Sequence, residues 1–336
     1  MKIRLILIIL LAMLMFSCLP QSPSSKGRRT ITVFGFSIMK EALEKEIYPM
    51  FKEKWRVETG EEIEFVSSFA GSETITNQIL AGSPADIAIL SIERDVERLI
   101  KAGHVPPVWY VTPQKGIVNK TPFVILVRSG NPKGINDFGD LAKDGLRLIH
   151  PDPVSSGGAQ WSILAIYGSE LLKSEKTGTR NEAKALQTLK AIWKNVIATP
   201  GSAREARTQF ETGFGDALIT YELEGLLMKD AKAPIEIIVP KSTIFSEHPV
   251  AIVERNVTAD ERPVVEAFRN FLWSEAAQKS FVKFHFRSAA DEKLNETNPQ
   301  FAKIEMPFTV EQFGGWERAY PEIIEKIFRE QVVNQK

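Results

Sequence analysis

Cysteine and histidine are scarce in this sequence, and neither sign of charge is in excess. Cys18 is the only cysteine among the 336 residues, so no disulfide can form within one chain. Lysine plus arginine and aspartate plus glutamate both number 42, which leaves no basic excess to attract nucleic acid. The histidines lack the spacing of metal ligands, so we expect no metal site and structural roles for His104, His150, His248 and His285. We therefore expect a small partner molecule.

The motifs of common enzyme classes are missing as well. There is no GxSxG nucleophile turn, and the stretch "SSGGAQ" (155–160) lacks the lysine that would reach a nucleotide phosphate. His150 and Asp152 are close enough in sequence for acid–base chemistry, but no nucleophile accompanies them. We expect a protein that is not an enzyme and uses no cofactor.

The N-terminal segment has the pattern of a secretory signal. Lys2 and Arg4 precede an apolar run over residues 5–16 that is too short to span a bilayer. Ser17 and Cys18 follow, and "MFSC" resembles the lipobox of bacterial lipoproteins. This pattern predicts a signal peptide over 1–17 and a lipidated, flexible tether over 18–29. The protein would then be extracytoplasmic, in the periplasm or at the cell surface, and anchored to a membrane through Cys18.

The rest of the chain alternates strand and helix patterns, which predicts an α/β fold. Three strand–helix units are followed by a second α/β unit and by a return crossing near residue 246. We expect two lobes, each a mixed, mainly parallel sheet flanked by helices, with a ligand cleft between them. The first lobe would comprise 30–118 and 246–336, and the second 119–245. We also expect Pro49 to kink or interrupt the first helix, and the C-terminal helices to pack on the first lobe.

Small residues open a helix after several predicted strands. These positions are Ser37, Gly71-Ser72, Ser156-Gly157-Gly158 and Gly201-Ser202. The first N–H groups of a helix lack internal partners and carry the positive end of its dipole, so such positions favour an anion. Open parallel sheets bind ligands at the carboxyl ends of their strands, where these helix starts could converge. Each alone could also be a simple helix cap, and Glu205 gives Ser202 the spacing of a capping box.

The chain from about residue 30 to 318 resembles the sulfate- and thiosulfate-binding proteins of ABC importers, which have the two-lobed periplasmic-binding-protein fold. The matching stretches occur in the same order as in that family: "KEKWRVETG", Gly71-Ser72, "VRSGNPKGINDFGDL", "PDPVSSGGAQW", "SAR" at 202–204, "GFGDALITYELE" and "FGGW". The resemblance implies a dehydrated dianion held by neutral donors. The implied contacts are Ser72, Ser156, Gly157, Gly158 and Ala203.

Two positions depart from the family pattern. Tyr221 in "LITYELE" stands where the family has a tryptophan, so a hydroxyl replaces an indole N–H. In "GFSIMKE", Ile38 stands near the usual aspartate, and Ser37 supplies a hydroxyl. We include Ser37 and Tyr221 among the predicted anion contacts. Arg204 and Arg207 could tune the local potential, and of the two we expect Arg207 rather than Arg204 to be simply solvated.

The sequence thus predicts a monomeric lipoprotein that binds a tetrahedral oxyanion, sulfate first, and delivers it to the permease subunits of an ABC transporter. Thiosulfate, molybdate or phosphate are alternative ligands. A surface lipoprotein that senses a ligand without any transporter is the alternative from another functional class.

Overall fold

The computed structural model describes residues 27–334. The predicted signal peptide, Cys18 and most of the predicted tether therefore lie outside the described residues. One part of the tether prediction is wrong, because the first strand already begins at Arg28. Arg28 pairs with Glu64 at 2.7 Å and Arg29 with Glu61 at 3.1 Å, so both arginines are held in the sheet.

One mixed sheet of eleven strands runs through the described chain. Its main order is β2-β1-β3-β9-β4-β7-β5-β6, while β8 and β10 pair with β4 and β11 pairs with β9. The strands are β1 (Arg28–Phe36), β2 (Glu62–Ala70), β3 (Ile87–Ile89), β4 (Ile117–Arg128), β5 (Leu148–Ile149), β6 (Val196–Ala198), β7 (Ala217–Tyr221), β8 (Ile235–Ile238), β9 (Ser242–Ile252), β10 (Arg287–Ser288) and β11 (Met306–Phe308).

Helices follow most of the strands and cover the sheet. They are α1 (37–59), α2 (Ser72–Leu80), α3 (Glu93–Lys101), α4 (Gly157–Lys176), α5 (Glu182–Lys194), α6 (Ala203–Glu211), α7 (Glu222–Asp230), α8 (Arg262–Phe271), α9 (Glu275–Lys283), α10 (Glu292–Glu296) and α11 (315–333). Short 3₁₀ turns occur at Pro113–Gly116, Phe138–Ala142 and Val310–Phe313. Within residues 27–334, no helix is both long and apolar enough to cross a bilayer.

The two ends of the sheet are parallel, and its centre is antiparallel. β1 pairs in parallel with β2 and β3, and β5 pairs in parallel with β6 and β7. Between these ends, β4 and β9 run antiparallel to each other. These two strands are where the chain crosses between the expected lobes. The predicted lobe boundaries, at 118/119 and 245/246, fall inside β4 and β9. Residues 117–120, which have a turn-rich sequence, are already part of β4.

The first helix continues past Pro49, so the expectation that Pro49 interrupts it is wrong. α1 passes from a 3₁₀ turn (Ser37–Met39) through Lys40–Ala42 into a π-helical segment (Leu43–Ile47) and then the α-helical Tyr48–Thr59. Proline cannot donate the usual backbone hydrogen bond of an α-helix. Here Pro49 occupies the first turn after the π-helical segment, where no such donor is required, and the helix continues.

The C-terminal helices divide between the two halves of the molecule. Phe268 of α8 packs on the first half as expected, with its ring centroid 5.1 Å from that of Phe51. The expectation is wrong for the second half of α11, where Phe328 lies 4.6 Å from Trp193 of α5. The C-terminal half of α11 therefore packs on the second half of the molecule, where Phe328 is buried against Trp193.

Candidate anion-binding site

The start of α4 is the centre of the candidate site. The Ser156 N–H donates to the Asp152 carbonyl at 2.9 Å, which ends the turn after β5 and sets the direction of the helix. Gly157 and Gly158 are the first two residues of α4, so their N–H groups have no acceptor within the helix. The Ser156 side chain occupies the N-cap position, yet it makes no capping hydrogen bond. Its buried hydroxyl is thus left for another acceptor.

Residues from both halves of the molecule meet the two glycines. A Cβ placed on Gly157 would lie 2.9 Å from the Cβ of Ser91 and 3.2 Å from that of Ser72. A Cβ placed on Gly158 would lie 2.7 Å from the Tyr221 hydroxyl oxygen. Only glycine fits at either position in this arrangement. The structure therefore brings Ser72, Gly157, Gly158 and Tyr221 together, as predicted from the sequence.

Ser91 is a member of this cluster that the sequence reasoning missed. Its hydroxyl lies 2.8 Å from the Tyr221 hydroxyl, and its N–H donates to Ser72 Oγ at 2.9 Å. The indole N–H of Trp161 fixes the same residue by donating to the Ser91 carbonyl at 2.7 Å. The sequence contains a signal for Ser91, because this residue follows β3 and precedes α3 in the same strand–serine–helix pattern as the predicted positions.

Backbone atoms make the closest contact between the two halves of the site. A Cβ on Gly71 would lie 2.2 Å from the Ser155 carbonyl oxygen and 2.6 Å from that of Gly201. The Thr74 N–H also points at the Ser155 carbonyl, at 3.4 Å. This contact holds the start of α2 against the start of α6, where Ala203 is the first helical residue. The starts of α2, α4 and α6 consequently lie close together.

Ser37 lies at the edge of the cluster. It begins α1 directly after β1, and it is 8% exposed. The ring of the preceding Phe36 lies 6.3 Å from that of Tyr221. The predicted contacts Ser37 and Ala203 are therefore on elements that border the site.

Charged side chains on the first side of the cluster neutralise one another. Glu73 accepts from Arg94 at 2.7 Å, pairs with Arg98 and accepts from Gln160 Nε2 at 2.9 Å. Asp95 is fully buried, and its Oδ2 accepts the Ser72 hydroxyl at 2.6 Å. Two carboxyl groups and two guanidinium groups thus lie behind the start of α2.

The second side is balanced in a similar way. Arg204 pairs with Glu41 at 2.8 Å and with Glu224 at 2.9 Å. Arg207 also pairs with Glu224, at 2.9 Å, and its side chain is 11% exposed. The expectation of a solvated Arg207 is wrong, because the buried carboxylate of Glu224 binds both arginines. Both guanidinium charges are therefore paired, although the buried Arg204 Nη2 has no hydrogen-bond partner among residues 27–334.

This arrangement offers hydrogen-bond donors without net charge. The start of α4 lies beside serine and tyrosine hydroxyls, and burial raises the pKa of Tyr221, so its hydroxyl keeps its proton at neutral pH. Such a set suits a compact anion with several acceptor oxygens.

Comparisons with known proteins agree with this chemistry. The family model of bacterial extracellular solute-binding proteins matches residues 31–287. A sulfate-binding protein of Synechococcus elongatus is 35% identical over 87% of this chain and 83% of its own. A thiosulfate-binding protein of Escherichia coli is 31% identical over 83% of this chain and 82% of its own.

The solved structure of the sulfate-binding protein SubI from Mycobacterium tuberculosis superposes with a TM-score of 0.79 at 31% identity. It covers 87% of this chain and 98% of that one. The chain belongs to the bacterial extracellular solute-binding proteins, in the sulfate- and thiosulfate-binding group. The predicted two-lobed α/β fold is confirmed, and the family places this solute-binding protein outside the cytoplasm.

His150 has a structural role in this solute-binding protein. Its Nε2 lies 2.5 Å from Ser162 Oγ and its Nδ1 lies 2.7 Å from the Pro151 carbonyl. Burial lowers the pKa of His150 to about 4, so the ring is neutral at physiological pH. Both His150 and Ser162 are buried, so they cannot act on a substrate together. Within residues 27–334, no cluster of acidic, histidine or cysteine side chains is arranged to hold a metal ion.

A separate surface groove of about 820 Å³ lies between α4, α5 and α11 of the solute-binding protein. Arg180, Glu182 and Arg318 are among its lining residues, and none of the predicted anion contacts is. Its charged groups are open to water, where an anion gains little over its own hydration. The buried cluster at the start of α4 is therefore the better candidate for a specific site.

Proposed function

We propose that this solute-binding protein binds sulfate, and that Ser72, Ser156, Gly157, Gly158, Ala203 and Tyr221 contact it, with Ser37 bordering the site. The observation that carries the proposal is the start of α4. There the Ser156 hydroxyl has no capping role, and the two glycines that follow it pack against Ser72, Ser91 and Tyr221.

Neutral donors can hold a buried dianion if every oxygen is hydrogen-bonded. Each hydrogen bond to a charged group contributes about 1.5–3 kcal/mol, so about seven of them offset much of the cost of removing water. The paired arginines nearby keep the surrounding protein neutral without forming a salt bridge to the anion. The sulfate- and thiosulfate-binding relatives support an oxyanion of this size.

Calorimetry of the anion-free protein against sulfate, thiosulfate, molybdate and phosphate tests the ligand. We expect sulfate to bind most tightly. Hydrogen phosphate should bind about 10- to 100-fold more weakly, because its O–H would be buried without an acceptor at a cost of about 1–3 kcal/mol.

Equal affinities for sulfate and hydrogen phosphate would contradict this selectivity. Tyr221 would then be the acceptor for the phosphate O–H, since its hydroxyl can accept as well as donate. The neighbouring Glu222 cannot take that role, because its carboxylate is bound by Arg287 at 2.9 Å and by the Ala302 N–H at 3.1 Å. If molybdate or thiosulfate bound more tightly than sulfate, that anion would take the place of sulfate as the proposed ligand.

We further propose that the protein is a monomer that closes around its ligand and presents the closed form to an ABC permease. The two lobes would move relative to each other about β4 and β9, the long strands in which the lobe boundaries fall. The first lobe comprises 30–118 and 246–336, and the second comprises 119–245. The contact of Gly71 with the Ser155 and Gly201 carbonyls belongs to the closed form. The function is binding without catalysis.

We also propose that residues 1–17 are a signal peptide and that Cys18 carries the lipid anchor. The apolar run after Lys2 and Arg4 and the position of the sole cysteine support this. Cys18→Ala should release the protein from membranes or leave its signal uncleaved, as judged by detergent partitioning and by size on a gel. A variant of mature size that stays in the detergent phase would contradict the anchor.

A further inference from the structure

Ser91 and Tyr221 form a pair of hydroxyl groups that joins the two halves of the molecule. Their oxygens lie 2.8 Å apart, and both residues are fully buried. A Cβ on Gly157 would lie 3.0 Å from Ser91 Oγ, and a Cβ on Gly158 would lie 2.7 Å from the Tyr221 hydroxyl oxygen. Ser91 belongs to the expected first lobe and Tyr221 to the second. The first turn of α4 therefore lies against two hydroxyl oxygens, one from each lobe.

The remaining atoms of both residues are held in place. The Ser91 N–H donates to Ser72 Oγ at 2.9 Å, and the Ser91 carbonyl accepts the indole N–H of Trp161 at 2.7 Å. The ring of Tyr221 packs against that of Phe123, with the centroids 4.6 Å apart. A hydroxyl proton that turns about its C–O bond can thus change its acceptor with little movement of the protein.

A count of protons shows what the pair can offer. Each hydroxyl has one proton and two acceptor sites, and both hydroxyls keep their protons at neutral pH. One proton is used in the hydrogen bond between the two oxygens, whichever of them donates. Neither hydroxyl makes another hydrogen bond within residues 27–334. The pair consequently has one proton left to donate, and that proton can come from either oxygen.

The same helix start has a further side chain without a capping partner. Ser156 is 2% exposed, and its hydroxyl makes no capping hydrogen bond. Buried donors need an acceptor, and an oxyanion supplies several acceptor oxygens at once. We propose that Ser91 is a further contact of the bound oxyanion and forms a shared donor with Tyr221. The two hydroxyls together give the anion one hydrogen bond, and either can give it when the other is absent. This inference rests on the proposed function.

The shared donor accounts for the tyrosine that stands where the family has a tryptophan. An indole N–H donates one hydrogen bond and accepts none, whereas a lone tyrosine hydroxyl can also turn its acceptor sites toward a ligand. Ser91 binds the Tyr221 hydroxyl, and the proton that remains is directed at the anion. The pair thus presents one donor, as a tryptophan would, and it exists only where the two lobes meet.

Calorimetric sulfate titrations of Ser91→Ala, Tyr221→Phe and the double variant test the shared donor. Each single variant keeps one hydroxyl that can donate to the anion, but the partner that fixes its direction is lost. We expect about threefold weaker binding from each, the cost of ordering one more side chain. The double variant has no donor left, so its affinity should fall about 100-fold, equivalent to one hydrogen bond to a charged group. Two independent contributions would give only about ninefold.

Tyr48 and Ser67 provide a matched control pair. Their hydroxyl oxygens lie 3.0 Å apart, so Tyr48→Phe with Ser67→Ala removes the same two atoms from a tyrosine–serine pair. Both residues belong to the expected first lobe, on α1 and β2, and this double variant should bind sulfate as the parent does. In each double variant both oxygens of the pair are removed together, so neither hydroxyl is left unpaired and the protein should fold.

Absorption spectra of the single variants give a second measurement, which does not need the double variant. In Ser91→Ala, sulfate becomes the acceptor of the Tyr221 proton, and a phenol that donates to an anion absorbs at longer wavelength. Addition of sulfate should therefore shift the tyrosine absorption of Ser91→Ala to longer wavelength. Tyr221→Phe should lack this shift.

Four results would overturn the inference. These are a double variant whose affinity loss is no larger than the product of the two single losses, a single variant that binds as weakly as the double variant, an equal loss in the control pair, or a Ser91→Ala spectrum that does not change when sulfate binds. Absence of sulfate binding by the parent would overturn the proposed function itself.

Discussion

The starts of α4 and α6 carry the same residue in the same position and use it differently. Ser156 and Ser202 are both buried N-cap residues with extended backbones. Ser202 Oγ accepts the Glu205 N–H at 3.2 Å, and the Glu205 carboxylate accepts the Gly201 N–H at 3.0 Å. Ser156 makes no such bond. The serine that does not cap its own helix is the one that we propose as a ligand contact.

The two helices tolerate this difference because they are stabilised in different ways. α4 is buried at every position from Gly157 to Leu171, so packing holds it in place. α6 has nine residues and buries only Ala203, Ala206 and Phe210. A short helix with one apolar stripe depends more on its cap.

The largest expected effect is that of Gly157→Val, which would fill the volume in front of α4. The new side chain would meet Ser91 and Ser72, so the cleft could not close on an anion and sulfate affinity should fall by more than about 100-fold. Isothermal titration measures this. Gly139→Val is the control, because a Cβ there has its nearest neighbour at 3.8 Å. Parent-like binding by Gly157→Val would remove the α4 start from the site.

Ser156→Ala should have the next largest effect. It removes one hydroxyl donor, worth about 1.5–3 kcal/mol to a charged acceptor, and should weaken sulfate binding about 10- to 100-fold. The thermal stability of the ligand-free protein should change little, since no cap is lost. Ser155→Ala is the control, because Ser155 Oγ donates to the Gly201 carbonyl at 2.8 Å. A loss of binding in the control alone would move the contact by one residue.

Ser202→Ala should lower the stability of the protein and should have the smallest effect on sulfate affinity of the three variants. Loss of the cap costs about 0.5–2 kcal/mol of stability, so the midpoint of thermal unfolding should fall by a few degrees. Sulfate affinity should fall less than in Ser156→Ala. A large loss of affinity at unchanged stability would show that the two helix starts have exchanged roles, with α6 supplying the ligand hydroxyl.

Local sequence patterns predict much of this site, because each predicted position follows a strand and opens a helix. They point to Ser72, Ser156 and Ser202 without any knowledge of the fold, whereas Ala203 and Tyr221 were predicted only through the resemblance to the family. They do not identify Asp95, which looks like an ordinary acidic residue in the first turn of α3. Its hydrogen bond with Ser72 comes from tertiary packing, which buries the two side chains together. The path of α11 was mispredicted for the same reason, since its amphipathic pattern shows that one face is buried but not against which helices.

The ion pair between Arg204 and Glu41 also has a kinetic consequence. It links α6 to α1 across the two halves of the molecule, and its side chains are 24% and 26% exposed. The proposed opening motion about β4 and β9 would separate these two charges before the anion leaves. Because a partly exposed pair is screened by salt, higher ionic strength lowers the barrier to opening. In the proposed opening and closing of the lobes, the residence time of the anion should therefore shorten as the salt concentration rises, even though the proposed donors are themselves uncharged.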